Sequence, residues 1–356
     1  MRIVLALLFV CGCRLDGGPV SSSPDLAAGP DLAVQGPIDM RGANMQSPPD
    51  LSGVDASSSL TWTVEAPGTA HGFTATGVWG SSSGDVYVVG NNGDFPILHS
   101  TGNGKWTNQV PAVAIQRNAV WGSGANDVYV VGSQIIHSAG DGNWSPAQTV
   151  SVQPPYSLNA IWGSAAGDVY AVGNGGLILH STGAGSWTQQ TSGTTQDLYS
   201  VWGSSSGDVY AVGSNTNSQG MAGSSGLILH STGNGSWTPQ TVASVFLASV
   251  WGSGSTDVYG VGNGFNNNGG MIQHSGGAGA WMKMGTPSAY LQGVWGTSAS
   301  DVYVVGSLGI ILHSTSAGQW SPVVTPSTSN LLKGWSSGVN DIYIVGDGST
   351  IIHGHL

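Results

Sequence analysis

Residues 201–213 read VWGSSSGDVYAVG, and close variants of this stretch occur seven times along the chain. In every copy an Asp lies six residues after the tryptophan and opens an Asp-Val-Tyr-like segment. The seven tryptophans, at intervals of 42, 41, 40, 49, 44 and 40 residues, are Trp79, Trp121, Trp162, Trp202, Trp251, Trp295 and Trp335. A recurring period of this length is typical of repeat architectures in which each copy forms one structural unit.

Each copy also contains a histidine segment and, in six copies, a second tryptophan. The His of the Ile-Leu-His-Ser-like segment is, in order, His99, His137, His180, His230, His274, His313 or His353. Seven residues after the first six His lies an outer tryptophan: Trp106, Trp144, Trp187, Trp237, Trp281 and Trp320. Short apolar segments between Gly- and Ser-rich turns predict four strands per copy. We therefore predict an all-β fold, a seven-bladed β-propeller of four-stranded antiparallel blades over residues 60–356.

The seventh copy ends at His353 without a segment for its fourth strand. An unassigned segment, Leu60-Thr61-Trp62-Thr63, precedes the first copy. We predict that this N-terminal strand (Leu60–Thr63) completes the last blade and closes the ring, which removes the gap that a linear array would leave. All 14 tryptophans then belong to blades.

The composition excludes several function classes. Only 7% of the residues are charged, the formal net charge is −11, and the propeller contains four basic residues, Lys105, Arg117, Lys283 and Lys333. Nucleic-acid binding depends on Lys and Arg that neutralise phosphates, so we expect no nucleic-acid partner. The same scarcity argues against adsorption to anionic lipid through a basic patch.

The N-terminus predicts export. Met1-Arg2 is followed by a short apolar run to Val10, which is typical of a secretory signal and too short to span a bilayer. Val10-Cys11-Gly12-Cys13 resembles the lipobox of bacterial lipoproteins, which implies a signal peptide over residues 1–12 and lipidation of Cys13. Plain secretion with cleavage nearby is the alternative. Residues 13–59, rich in Pro, Ser and Asp, are predicted to be a disordered tether.

Part of each repeat resembles a known motif. Ser100-Thr101-Gly102-Asn103-Gly104-Lys105-Trp106 is similar to a degenerate Asp box, the turn between the third and fourth strands of sialidase-type and photosystem-assembly-factor-type propellers. The domain also resembles the Trp-Gly-Ser…Asp-Val-Tyr…Val-Gly repeats of secreted bacterial lipoproteins. A sialidase activity would imply an arginine triad, yet Arg117 is the only arginine of the domain. That chemistry is excluded.

The repeated Asp and His residues are interpreted as scaffold, because any site that they formed would be copied seven times. Asp is expected to accept turn N–H groups, and His with Ser or Thr to link strands through hydrogen bonds. We predict no catalytic residue, no metal site and no cofactor. A hydrolase or lyase that uses Asp197, Tyr199 and Arg117 in the funnel remains the alternative.

Loop lengths predict two different faces. The Trp-to-Asp and His-to-Trp spacings are constant, whereas the Asp-to-His spacing varies from 10 to 22 residues. The constant connections should share one face, the uniform face, and the variable ones the opposite, variable-loop face, where binding is usually located. Positions just before each repeat tryptophan should ring the central funnel. The predicted ligand-binding residues are Gln116, Arg117, Asn118, Asn159, Asp197, Tyr199, Phe246, Tyr290 and Gln292.

The sequence thus predicts a non-enzymatic binding scaffold, monomeric as a domain, exported as an outer-membrane lipoprotein. Its partner would be a protein or glycan at the cell envelope, and its only membrane attachment the lipid anchor. An envelope assembly factor is an alternative, and so is a water-filled funnel without a ligand.

Overall fold

In a computed structural model of the chain, residues 60–356 are described except for 69–71, 93–95, 112–115, 148, 151–156, 184, 215–225, 241, 243–244, 265–268, 278 and 317. Seven antiparallel blades surround a central channel, as predicted. Cys13 and the predicted signal and tether lie outside the described residues. Within them no helix is long and apolar enough to cross a membrane.

The first described strand is β1 (Thr61–Val64), followed by six blades that are continuous in sequence. Blade 1 contains β2 (Thr74–Ser82), β3 (Asp85–Asn91), β4 (Ile97–Ser100) and β5 (Trp106–Asn108). Blade 2 contains β6 (Arg117–Gly124), β7 (Asp127–Gly132), β8 (Ile135–Ser138) and β9 (Ser145–Pro146). Blade 3 contains β10 (Thr149–Val150), β11 (Leu158–Ala165), β12 (Asp168–Gly173), β13 (Ile178–Ser181) and β14 (Ser186–Gln190). Its fifth strand, β10, pairs in parallel with the outer strand β14.

The remaining continuous blades repeat the same order. Blade 4 contains β15 (Asp197–Ser205), β16 (Asp208–Ser214), β17 (Gly226–Ser231) and β18 (Thr238–Gln240). Blade 5 contains β19 (Val245–Gly254), β20 (Asp257–Gly264), β21 (Gly270–Ser275) and β22 (Trp281–Gly285). Blade 6 contains β23 (Leu291–Ser298), β24 (Asp301–Gly306), β25 (Ile311–Ser316) and β26 (Gln319–Pro322). Two 3-10 turns, Asn174–Gly176 and Ser307–Gly309, follow β12 and β24.

Blade 7 is assembled from both ends of the domain, as the sequence predicted. It contains β27 (Leu331–Gly338), β28 (Asp341–Gly346) and β29 (Thr350–His355), and β1 pairs antiparallel with β29 as its outer strand. Trp62 is opposite Gly354, and the strand lies one residue later than the predicted Leu60–Thr63.

The second strands are buried on both faces because each blade is covered by its two neighbours. Val86 to Gly90 of β3 are all buried, and Tyr87 and Val89 pack with Val120 and Trp144 of blade 2. The continuous apolar run of the Asp-Val-Tyr segments is therefore an inter-blade core, which explains why it does not alternate with polar residues.

The tryptophan of each inner strand packs against a glycine of the next blade. A Cβ at Gly122 would lie 2.5 Å from Cη2 of Trp79, and the same close approach recurs around the ring. The indole of one inner strand thus lies against the backbone of the following blade, where only a residue without a side chain leaves room. This contact gives the motif its constant spacing.

Candidate functional site

The repeated Asp, His and Ser or Thr side chains form one hydrogen-bonded set in every blade, and the repeated Tyr packs on the His. In blade 1, Asp85 Oδ1 lies 2.7 Å from His99 Nε2, and Asp85 Oδ2 accepts a hydrogen bond from Ser81 Oγ at 2.5 Å. Tyr87 stacks on His99 with ring centroids 4.4 Å apart. The prediction that His and Ser link strands is confirmed. The turn N–H groups expected as partners of Asp are not found among the described hydrogen bonds, and the Ser and His side chains take their place.

The tyrosines of these sets are poorly suited to accept protons near neutral pH. Burial, together with the neighbouring Asp carboxylate, raises the pKa of Tyr87, Tyr129, Tyr170, Tyr210 and Tyr259 to about 12. Phenols with such pKa values stay protonated near neutral pH and are poor general bases there. Equivalent Asp–His pairs at 2.7 to 2.9 Å are present in all seven blades.

The constant connections share one face, as predicted. Gly102, in the turn after β4, has φ +79°, and a Cβ there would lie 2.3 Å from the carbonyl oxygen of Ser83 in the turn after β2. Ser100 Oγ accepts a hydrogen bond from Gly102 N at 3.2 Å. The Asp-box-like turn therefore requires glycine because its backbone is left-handed and touches the neighbouring turn.

The variable connections meet on the opposite face. In blade 3, Asn174 N donates to the carbonyl of Ser157 at 2.9 Å, which joins the loop after β12 to the segment before β11. Ser307 N and Asp347 N make the equivalent bonds to Tyr290 and Asn330 at 2.8 and 2.9 Å. Individual side chains are therefore brought together at one mouth of the channel.

One half of this mouth is polar, and its amides are already used between blades. Asn118 Nδ2 donates to the carbonyl of Leu158 at 2.8 Å, and Asn159 Nδ2 donates to the carbonyl of Leu198 at 2.8 Å. Thr76 Oγ1 makes the same contact to Arg117 O at 3.1 Å. Asn118 and Asn159 were predicted to bind ligand, but their amide N–H groups hold adjacent blades together.

The other half of the mouth is aromatic. Tyr199 packs on Phe246 with ring centroids 5.0 Å apart, and Ala248 completes the cluster. Phe246 is only 5% exposed, so it packs against Tyr199 and presents little surface of its own. Burial and, to a smaller extent, Asp197 raise the pKa of Tyr199.

The other predicted residues divide between core and surface. Arg117 is 3% exposed at the position that holds Leu in five other blades, and burial lowers its pKa to about 10. Gln116 is exposed, and Asp197 Oδ1 accepts a hydrogen bond from Gly175 N at 2.8 Å. Tyr290 is 38% exposed. Gln292 is partly buried on the inner strand of blade 6.

Behind the mouth lies a cavity of about 310 Å³, lined by residues of the seven inner strands. Among its lining residues are Ala119, Ala160, Ser200, Ser249 and Lys333. Burial lowers the pKa of Lys333 to about 8. Lys333 is not among the ligand-binding residues predicted from the sequence. Alignment of the blades two residues before each tryptophan, where the others carry Gly, Ala or Ser, could have found it.

Among the described residues no cluster of three His, Cys, Asp or Glu side chains could hold a metal ion. No known protein-family profile matches the chain, and no curated protein sequence matches it.

Solved structures match the chain through its fold. YCF48 bound to a D1 peptide is 18% identical with a TM-score of 0.65, and covers 83% of this chain and 97% of its own. YCF48 from Cyanidioschyzon merolae is 17% identical, with a TM-score of 0.62 and coverages of 83% and 98%. A catalytically inactive virginiamycin B lyase from Staphylococcus aureus with quinupristin is 14% identical, with a TM-score of 0.68 and coverages of 83% and 100%. The chain thus has the same propeller fold as these proteins.

Proposed function

We propose that this protein is a non-enzymatic binding propeller that holds an extended segment of a protein partner across the variable-loop face. The observation that carries the proposal is an exposed apolar pair beside the channel mouth. Tyr290 is 38% exposed and Leu308 is 60% exposed, on the two variable connections of blade 6. The backbone joins them, since Ser307 N donates to the carbonyl of Tyr290.

Both the backbone conformation and the exposure of Leu308 are unfavourable for the free chain, and contact with a partner would offset the cost of its exposure. Its φ is +59°, and the equivalent position of blade 3 is Gly175, with φ +65°. A left-handed conformation costs a residue with a side chain about 1 kcal/mol relative to glycine. Exposure of a large apolar side chain adds to this cost, and such features accumulate at functional sites.

A protein segment suits this surface better than the hydrolase or lyase alternative. Of the three residues named for catalysis, Arg117 is buried in an inner strand, and Asp197 holds the N–H of Gly175. YCF48 in its peptide-bound structure supplies a precedent for a peptide ligand on this fold. The proposal includes export and lipidation at Cys13, with the protein partner at the cell envelope. A glycan partner is the alternative that the test distinguishes.

The test combines a peptide display library and a glycan array with two matched variants. The binding variant is Tyr290→Ala with Leu308→Gly. The control is Val339→Ala, which shortens a side chain 53% exposed in the turn between β27 and β28 on the uniform face. We expect selected peptides to lose binding only with the first variant, because a few apolar anchors dominate such interfaces.

Leu308→Gly alone separates function from stability. It should raise the free energy of unfolding by about 1 kcal/mol while weakening peptide capture, because it relieves backbone strain and removes the anchor. Capture of glycans without any peptide would overturn the choice of a protein partner. Equal loss of binding in the Val339→Ala variant would show that the face is wrong.

A further inference from the structure

Lys333 is a single cation in a channel built from small and apolar side chains. Two residues before each inner-strand tryptophan, the first six blades carry Gly77, Ala119, Ala160, Ser200, Ser249 and Gly293. Blade 7 alone has a lysine there, as the third residue of β27. The inner strands start at the variable-loop face, so Lys333 lies in the half of the channel nearest the mouth.

The channel offers this ammonium no opposite charge. The described lining residues are Thr, Gly, Val, Ala, Asn, Ile, Ser and Trp besides Lys333, with no Asp, Glu, His or Arg among them. Burial is the single cause that lowers the pKa of Lys333, and no described carboxylate forms a salt bridge with it. Lys333 is partly buried. A partly buried charge without a partner is less favourable than a solvated one, and an anion that enters from outside would relieve this cost.

Two hydroxyl groups could complete such a site. Ser200 Oγ accepts a hydrogen bond from Val250 N at 3.3 Å, and Ser249 Oγ accepts one from Val294 N at 3.4 Å. Each hydroxyl has one hydrogen to donate, and among the described residues no acceptor for either is found. Both serines line the same cavity as Lys333.

We propose that Lys333 makes the channel a carboxylate-binding site, and that the carboxylate belongs to the protein segment held at the mouth. This inference rests on the proposed function, whose ligand class it narrows. The cavity of about 310 Å³ has the volume of roughly ten water molecules, so it admits a carboxylate with a short stem but no folded element. The carboxylate is either a chain terminus or an Asp or Glu side chain.

The test uses the three lysines of the chain, Lys105, Lys283 and Lys333, as NMR probes. Reductive methylation with ¹³C-formaldehyde labels all three in the full chain, and Lys333→Met assigns the Lys333 signal. The probes are acetyl-trialanine, its C-terminal amide, and an acetylated, amidated tripeptide with a central glutamate. We expect the Lys333 signal to move with one or both carboxylate peptides and not with the amide. The pH midpoint of that signal should rise, because an anion favours the ammonium form.

Matched variants test whether the charge is responsible. Lys333→Met should weaken binding of the carboxylate peptide about tenfold or more, as expected for loss of a charge-assisted hydrogen bond. Lys333→Arg should retain most of the binding. Lys283→Met, which removes an exposed lysine on β22, should leave it unchanged. Equal binding by Lys333→Met, or an equal signal change with the amide, would overturn the proposal.

The two proposals fail in distinguishable ways. If displayed peptides bind through Tyr290 and Leu308 but tolerate Lys333→Met, the carboxylate site is wrong and the binding face stands. If the carboxylate tripeptides move the Lys333 signal while no library peptide is captured, the channel site stands and the partner class fails.

Discussion

Four of the positions at which blade 7 differs from the six continuous blades change its polar or packing contacts, and these four are of two kinds. Where the other blades have Val-Trp-Gly or Ile-Trp-Gly, blade 7 has Gly334-Trp335-Ser336. Glu65 replaces the Gln found after several outer tryptophans, and Lys333 replaces a small residue. The first three changes have a structural compensation within the described residues, whereas Lys333 has none. A departure without compensation is the better indicator of function.

The exchange of Gly and Ser in blade 7 shows how compensation works. Trp295 of blade 6 lies over Gly334, where a Cβ would come within 2.3 Å of its ring, and its Nε1 donates to Ser336 Oγ at 3.0 Å. Elsewhere the tryptophan lies over the Gly that follows the next tryptophan. The indole has moved by two residues along the neighbouring strand, so both substitutions are needed together.

Glu65 is a second compensated change. Its Oε2 accepts the indole N–H of Trp106 at 2.7 Å, as Gln109, Gln190 and Gln240 do for the tryptophans of following blades. Its Oε1 lies 2.9 Å from His353 Nδ1, a contact not found at the His of the other blades within the described residues. The closing blade is thus held by one extra ion pair between the two ends of the domain.

The largest expected effect comes from opening the ring. Deletion of residues 60–64 removes β1 and Trp62, which packs over Gly354, and Trp62→Ala removes the side chain alone. We expect the point variant to lose about 3 kcal/mol of the free energy of unfolding and the deletion more, since Trp→Ala in cores costs about 3 to 5 kcal/mol. Urea unfolding measures both. Midpoints equal to that of the unaltered chain would contradict the split blade.

The Gly334/Ser336 exchange can be tested by restoring the repeat sequence. Gly334→Val should destabilise by about 1 to 3 kcal/mol, because the new side chain overlaps the Trp295 ring. Adding Ser336→Gly should recover part of this loss, since Trp295 can then take the position found in other blades. A double-mutant cycle by urea unfolding gives the coupling. Strict additivity would mean that the two substitutions are independent.

The extra ion pair predicts a pH dependence confined to blade 7. Although burial alone would lower it, hydrogen bonds to Glu65 and Asp341 raise the pKa of His353. A histidine whose pKa is raised on folding contributes stability that is fully present below its unfolded pKa of about 6.5. This stability is lost as the pH rises through the folded pKa. We expect Glu65→Gln, which keeps the acceptor for Trp106, to lose about 1.5 kcal/mol at pH 6.

The difference between Glu65→Gln and the unaltered chain should shrink as the pH rises above the folded pKa of His353. Urea midpoints at half-unit steps from pH 6 to pH 9 measure this convergence. If the urea midpoints of the two chains changed in parallel with pH, the Glu65–His353 ion pair would not contribute to the stability of blade 7.

The smallest effect concerns blades in which the indole acceptor is missing. Ala147 and Met284 occupy the positions of Gln109 and Gln240, and among the described residues the Nε1 atoms of Trp187 and Trp320 have no acceptor. Ala147→Gln should therefore raise the free energy of unfolding by about 1 kcal/mol. Thr188→Gln, on the exposed side of β14, is the control. An equal change in both would show that the indole bond is irrelevant.

The fold could be predicted from the sequence because the repeat encodes contacts between blades. Each repeated Asp and His pairs with the other in all seven blades, and the Trp-Gly contact recurs in six places with a shifted variant in blade 7, so spacing alone reveals them. The position of the channel mouth could also be predicted, but the contacts of its side chains could not. Asn118 and Asn159 look like free amides in sequence, yet they bond to the next blade.

The rest depended on the path of the inner strands. Each begins with an irregularity in register, as between Leu158 and Ala160, which redirects the side chains that follow. Alignment of the blades singles out Lys333, but without this irregularity neither its position in the channel nor the buried position of Phe246 against Tyr199 can be assigned. Phe246, one of the predicted ligand-binding residues, is 5% exposed and packs against Tyr199, a position that the sequence pattern does not indicate.

The pairing of β1 with β29 also fixes the side from which the chain enters the propeller. Thr61 is opposite His355, at the end of a third strand, and third strands end on the uniform face. Leu60, the first residue that the structure describes, therefore lies on the side opposite Tyr290, Leu308 and the channel mouth. A linker fused directly before Leu60 would therefore begin on the uniform face and would leave the variable-loop face, with Tyr290 and Leu308, unobstructed.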